Sequence, residues 1–188
     1  IHKEHIMYQH ILRKTEFFSC ILGGETGTAR GQSQSLLKLL AFEKGQANWL
    51  CTEEKELVQS CFTFLQKFVA ANDANQMSVL NTPGAVDLVF EKYFGTDLGE
   101  IEFLKSLFSH DNRAVARRVS QGQLKRICKS IRWSVSTNTI TRIVSPCMVI
   151  LHNLVGNEHH PIVENQHTVM EVLLVGGTGR GSALDTSF

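Results

Sequence analysis

The chain has 188 residues, 43% of them hydrophobic and 20% charged, with a net charge of +1. That is enough apolar material for a buried core, and the near-neutral balance supplies no strong field to select nucleic acid or an anionic membrane as a partner. Five cysteines at wide spacings, with no CxxC, argue against a disulfide framework and read as small buried hydrophobes of a reducing compartment.

No apolar run approaches the roughly 18 residues that span a bilayer, and no charged-then-apolar leader opens the chain. A start at Ile1 and a glycine-rich end are expected of a piece of a longer protein. Residues 1–22 are expected to be helical, with Ile6, Met7, His10, Ile11, Phe17, Phe18 and Ile21 on one side. Gly23, Gly24 and Gly27 end that helix, and residues 23–35 read as a flexible polar loop. Leu36, Leu37, Leu39, Leu40 and Phe42 predict a short apolar helix stopped by Gly45.

The clearest pattern runs from Thr52 to Phe94 and reads as two amphipathic helices joined by a polar turn. Thr52 predicts an N-cap, with Glu53, Glu54 and Glu56 on the first turn where the helix dipole favours negative charge. Leu57, Cys61, Leu65, Phe68 and Val69 follow at steps of four and three. Val58, Phe62 and Phe64 widen that stripe, so neighbouring helices must cover it. Asn72 to Asn75 predicts a turn or a break. Thr82-Pro83 predicts the second helix start, with Val86, Val89, Phe90 and Phe94 on its buried side.

Asp97 is an expected cap for a helix that buries Ile101, Leu104, Leu107 and Phe108. Asp111 can cap another that carries Val115 and Val119. Gln121-Gly122 interrupts, and Leu124, Ile127, Cys128 and Ile131 continue as a short helix. Around Ser145-Pro146 two readings stay open: a helix starts there, or a longer helix from Thr137 is kinked. Met148, Leu151, Leu154 and Val155 give that segment its apolar face. Pro161 is expected to open the last helix, with Ile162, Val169, Val172 and Leu173 facing inward. No segment alternates as a strand does. The fold class is therefore all-α, an armadillo-like helical solenoid segment of short antiparallel helices over residues 1–175, with a flexible glycine-rich tail at 176–188. An irregular helical bundle is the alternative.

Motifs that carry chemistry are weak. VLLVGGTGRGS at residues 172–182 nearly spells a phosphate loop, but the lysine before Ser182 is missing, and the chain ends six residues later. The loop from Gly23 to Gly31 lacks that lysine too. His2, His5 and His10, and His152, His159, His160 and His167, read as turn histidines, since no cysteine lies at metal-ligand spacing. Cys51, Cys61 and Cys147 read as core residues, with Cys147 and His152 as a remote nucleophile–base pair. Asp73, Asp87, Asp97, Glu100, Glu102 and Asp111 are scattered carboxylates without the spacing of a calcium loop. The basic run Arg113, Arg117, Arg118, Lys125, Arg126, Lys129 and Arg132 reads as a solvated helix face. No catalytic site and no cofactor are expected.

Four stretches follow in order: FFSCILGGETG, LLKLLAFEKG, ELVQSCFTFLQKFVAANDANQMSVLNTPGAVDLVF and LKSLFSHDNRAVARRVSQGQLKRICKSI. In the third, Asn75-Gln76 is followed by Gly84 and Asp87 in an Asn-Gln to Gly-x-x-Asp spacing. In these stretches, over much of residues 8–131, the chain resembles the RIH-associated domain of the inositol-trisphosphate receptor and ryanodine receptor family of calcium-release channels. Residues 137–188 are not matched. The resemblance implies an all-helical, non-catalytic coupling segment that relays conformational change between ligand-binding domains and the pore. Its partners would be the other domains and subunits of a homotetrameric channel, on the cytosolic face of the endoplasmic reticulum membrane. Contact with the membrane would come only through the parent protein, and no nucleic acid is implied. Calcium is the one ion this implies nearby, with no ligands assignable. Phe62, Leu65, Phe68, Val86, Val89 and Phe90 are then expected to be a structural coupling core. An armadillo-like protein–protein interaction scaffold unrelated to channels is the alternative.

Overall fold

The computed structural model describes residues 2–15, 17–22, 36–37, 50–109, 113–136, 140–157 and 160–174. These residues are predominantly helical, as the apolar spacing predicts. The two glycine loops, Asp111, Thr137 and the tail at 176–188 lie outside the described residues.

The first helical stretch is two pieces, α1 (His2–Lys14) and α2 (Phe17–Leu22). Phe18 and Ile21 face inward as expected, but the rest of the face differs. Met7, Ile11 and Phe17 are exposed, while Gln9 and Leu22 are buried. The reason is polar: Gln9 is held by carbonyls at the end of the next described helix, and those bonds fix the rotation of α1.

That next helix, α3, spans Thr52–Val69. Its N-cap is Cys51 rather than Thr52; the Glu54 carboxylate accepts the Cys51 N–H at 2.8 Å. Val58, Cys61, Phe62, Leu65, Phe68 and Val69 are buried, and Leu57 is turned out. The break expected at Asn72 to Asn75 falls at the start of that stretch: α3 ends at Val69, and α4 (Asp73–Asn81) begins right after Asn72. Asn72 is the cap, its side-chain oxygen accepting the Asn75 N–H at 3.1 Å, as short amide side chains do at helix starts. The corner that makes room for this cap places Ala71 at φ 49°.

Thr82-Pro83 does not start the following helix. Thr82 closes α4, its N–H donating to the Val79 carbonyl and its hydroxyl to the Ser78 carbonyl. Gly84, at φ 72°, turns the chain into α5 (Ala85–Leu88), which widens into a π-helical turn at Val89–Tyr93. The segment read as two helices is therefore three.

Asp97 sits inside the next loop at φ 62°, and Gly99 is the N-cap of α6 (Glu100–Leu107). Ile101, Phe103, Leu104, Leu107 and Phe108 are buried. α7 (Arg113–Ala116) is short and buries Val115 and Ala116. Gln121-Gly122 does not interrupt; it opens α8 (Gln121–Ser136). The cause is a reciprocal cap: Ser120 Oγ accepts the Gln123 N–H at 3.2 Å, and Gln123 Oε1 accepts the Ser120 N–H at 3.0 Å. α9 (Ile140–Val155) contains Pro146, which settles the two readings in favour of a continuous helix. In it Cys147, Ile150, Leu151 and Leu154 are buried and Met148 is exposed. A two-residue antiparallel ribbon, β1 (Gly156–Asn157) with β2 (His160–Pro161), turns the chain into α10 (Val163–Leu174). Pro161 therefore pairs with Gly156 instead of opening the helix.

The described helices pack around one continuous apolar core running from Phe18 to Ile162. α1 lies on α2 and α4, α3 on α6, α6 on α9, α9 on α8, and α8 on α10. Among the described residues no helix is long and apolar enough to cross a membrane.

Candidate functional site

Phe62, Leu65 and Phe68 lie on α3, Val86 on α5, and Val89 and Phe90 on the π turn; all six are buried in the one core. Phe62 is its aromatic hub, 5.4 Å from the Tyr93 ring edge-on and 6.1 Å from the Phe103 ring. Phe68 stacks on Phe18 at 5.1 Å, so the same helix reaches α2. The apolar core thus touches several helices, but apolar contacts alone do not fix their relative register. Polar groups do that.

Asn75 and Gln76 are both fully buried, and their amides reach different neighbours of α4. Asn75 Nδ2 donates to the Phe68 carbonyl at 2.7 Å and to the Gln9 carbonyl at 3.5 Å, joining α4 to the end of α3 and to α1. Gln9 completes that side. Its Nε2 donates to the Lys67 carbonyl at 2.6 Å and the Ala70 carbonyl at 3.2 Å, and its Oε1 accepts from Asn72 Nδ2 at 2.9 Å. On the other side Gln76 Nε2 donates to the Ser106 carbonyl at 3.0 Å and to Ser109 Oγ at 2.8 Å, at the end of α6. The last carbonyls of a helix have no partner within it, and here side chains of neighbouring helices supply one. The same device recurs. Arg126 of α8 donates to the Phe90 carbonyl at 2.8 Å, Asn153 of α9 to the Phe108 carbonyl at 2.9 Å, and Asn165 of α10 to the Leu154 and Ala116 carbonyls at 2.7 and 3.1 Å.

Of the residues in the Asn-Gln to Gly-x-x-Asp spacing, Gln76 makes the α6 joint and Gly84 makes the left-handed turn. Asp87 accepts from Gln123 Nε2 at 2.6 Å, tying α5 to the start of α8. Sequence reasoning missed Gln9, Asn153 and Asn165. Nothing marks them in the sequence, because a buried amide looks like a surface amide until its helix has been oriented.

A second buried polar group is Glu100. Its carboxylate accepts the backbone N–H groups of Gly95 at 3.0 Å, Thr96 at 3.1 Å and Leu98 at 2.9 Å, and so shapes the whole loop before α6. Burial pushes this carboxyl above the ordinary carboxylate range, against the pull of the N–H donors.

The remaining sequence candidates do not assemble. Cys147 is fully buried and its thiol is pushed up to about 12, chiefly by that burial, while His152 is exposed on the same helix. A thiol nucleophile needs the opposite shift. Cys20 and Cys51 are exposed, contrary to the expectation of buried hydrophobes, and Cys61 and Cys128 are buried. Among the described residues no three His, Cys, Asp or Glu side chains converge as a metal site. Glu102 pairs with Lys105 at 3.0 Å, and His10 Nδ1 lies 2.8 Å from Arg13. The side chains of His2, His5, His159 and His160 lie outside the described residues, as does GGTGRGS.

No protein-family model, curated protein or solved structure matches this chain.

Proposed function

We propose that the chain is a non-catalytic coupling segment of an intracellular ligand-gated calcium-release channel, built as an armadillo-like stack of short antiparallel helices. The observation that carries this reading is the Asn75–Gln76 joint. The residues on which the family resemblance rests most heavily are those that bond α4 to α1 and α3 on one side and to α6 on the other. A segment that relays displacement needs such joints. Buried hydrogen bonds fix relative position sharply, whereas apolar faces tolerate sliding. The packing of α3 on α6 and of α6 on α9 supports the stack. In this reading Phe62, Leu65, Phe68, Val86, Val89 and Phe90 are the coupling core. The partners are the other domains and subunits of a homotetramer on the cytosolic face of the endoplasmic reticulum.

Electron microscopy of the membrane assembly purified with this chain tests the reading. The expected image is a tetramer with the segment between ligand-binding solenoids and pore. Recovery of the chain only in complexes without membrane subunits overturns it. That result would favour the second reading, an armadillo-like interaction scaffold, which the exposed Met148, Val163, Met170 and Leu174 support.

A further inference from the structure

Charge is segregated along this near-neutral chain. Residues 50–109 hold nine Asp or Glu and four Lys or Arg, whereas residues 112–157 hold eight Lys or Arg and no acid at all. The structure turns that bias into a surface. Arg113 on α7, Arg117 just beyond it, and Arg126, Lys129 and Arg132 of α8 are exposed, and Lys125 is half-buried. Lys125, Lys129 and Arg132 stand at i, i+4 and i+7, a single row about 10 Å long on one helix face.

We propose that this row docks an acidic helical segment of a partner protein. The inference is independent of the channel reading. A partner helix with carboxylates one turn apart matches the row charge for charge. The flanks of the row argue against a uniformly anionic partner. Glu91 lies 3.8 Å from Arg126 on one side. At the far end of the row Arg132 donates to the Val172 carbonyl at 3.3 Å, which seats the last turn of α10 beside it. A phosphate backbone or an anionic bilayer would meet Glu91, whereas a discrete helix seats along Lys125, Lys129 and Arg132. Such an interface speeds encounter and weakens with salt.

The test uses the 188-residue chain and a labelled helical peptide with Glu at i, i+4 and i+7. Its competitors are a DNA duplex and phosphatidylserine vesicles. The expected result is saturable binding of the acidic peptide that weakens about tenfold or more between roughly 50 and 300 mM salt. Lys125→Glu with Lys129→Glu should weaken it about tenfold, and so should Lys129→Glu with Arg132→Glu. Lys55→Glu with Lys67→Glu, on α3, should leave it unchanged. If one pair lowers the melting temperature, the other carries the comparison. No peptide binding, binding that survives both row variants, or tighter binding of DNA or vesicles overturns the proposal.

Discussion

The Gln76 side-chain amide donates to Ser109 Oγ at 2.8 Å while the neighbouring Asn75 amide donates to the Phe68 carbonyl at 2.7 Å. Two successive residues of one helix are thus bonded to the ends of two different helices. Replacing Gln76 with Leu keeps the volume but leaves the Ser106 carbonyl without this donor. The expected loss is about 1–3 kcal/mol of stability, because a buried polar group is left short of its partner. Urea unfolding at one wavelength checks it. Gln76→Glu should be at least as damaging, since it also places a charge in a fully buried position.

Gly99 and Gly84 make a matched pair of controls. Both have positive φ, 94° and 72°, so an alanine at either is strained. A Cβ at Gly99 would also sit 3.3 Å from Phe62 Cβ, whereas one at Gly84 meets nothing within 4 Å. Gly84→Ala should cost about 1 kcal/mol from backbone conformation alone. Gly99→Ala should cost more, and the excess measures how far α3 can yield. Equal losses in thermal melts would mean that Phe62 gives way freely.

Glu100 makes stability depend on pH. Its folded carboxyl titrates above the ordinary value because burial disfavours the charge. The folded chain therefore holds this proton more tightly than the unfolded chain. The stabilising contribution is present in full below the unfolded value of about 4.3, and it is lost as pH rises through the raised folded value. Glu100→Gln does not titrate. Its melting temperature relative to the parent should therefore move in the variant's favour as pH climbs through that window. A difference that stays constant with pH would contradict the assignment.

The five thiols divide by location. Cys20 and Cys51 are exposed, while burial pushes Cys128 up to about 11 and Cys147 up to about 12. A thiol reagent at mildly alkaline pH should label Cys20 and Cys51 quickly in the native chain. Cys61, Cys128 and Cys147 should react only on unfolding. Fast labelling of Cys147 would show that α9 is less tightly packed than described.

What the sequence makes legible is the apolar arithmetic. Leu124, Ile127, Cys128 and Ile131 stand at helical spacing, and all four are buried as expected. Helix starts were less legible, because several residue types can cap and only geometry decides among them. Ser120 and Gln123 spell a capping box in plain sight, but the glycine between them invites a break. Asp97 is a good cap by type, yet Glu100 gathers the loop's N–H groups and moves the helix start to itself. The joints were legible in part. Asn75-Gln76 stands out by spacing, whereas Gln9 faces inward only because Lys67 and Ala70 present carbonyls to it. That contact crosses about sixty residues, which no local pattern can register.

The π turn at Val89–Tyr93 carries a mechanical consequence of its own. It winds more residues into a turn than an α-helix does, so the segment holds slack. Rewinding those five residues as α-helix would advance Phe94 by about one residue, or 1.5 Å along the axis, without breaking the chain's helical continuity. Arg126 of α8 donates to the Phe90 carbonyl inside that turn, and Tyr93 at its end donates its hydroxyl to the Leu37 carbonyl at 2.6 Å. Rewinding the turn would therefore have to shift both bonds with it.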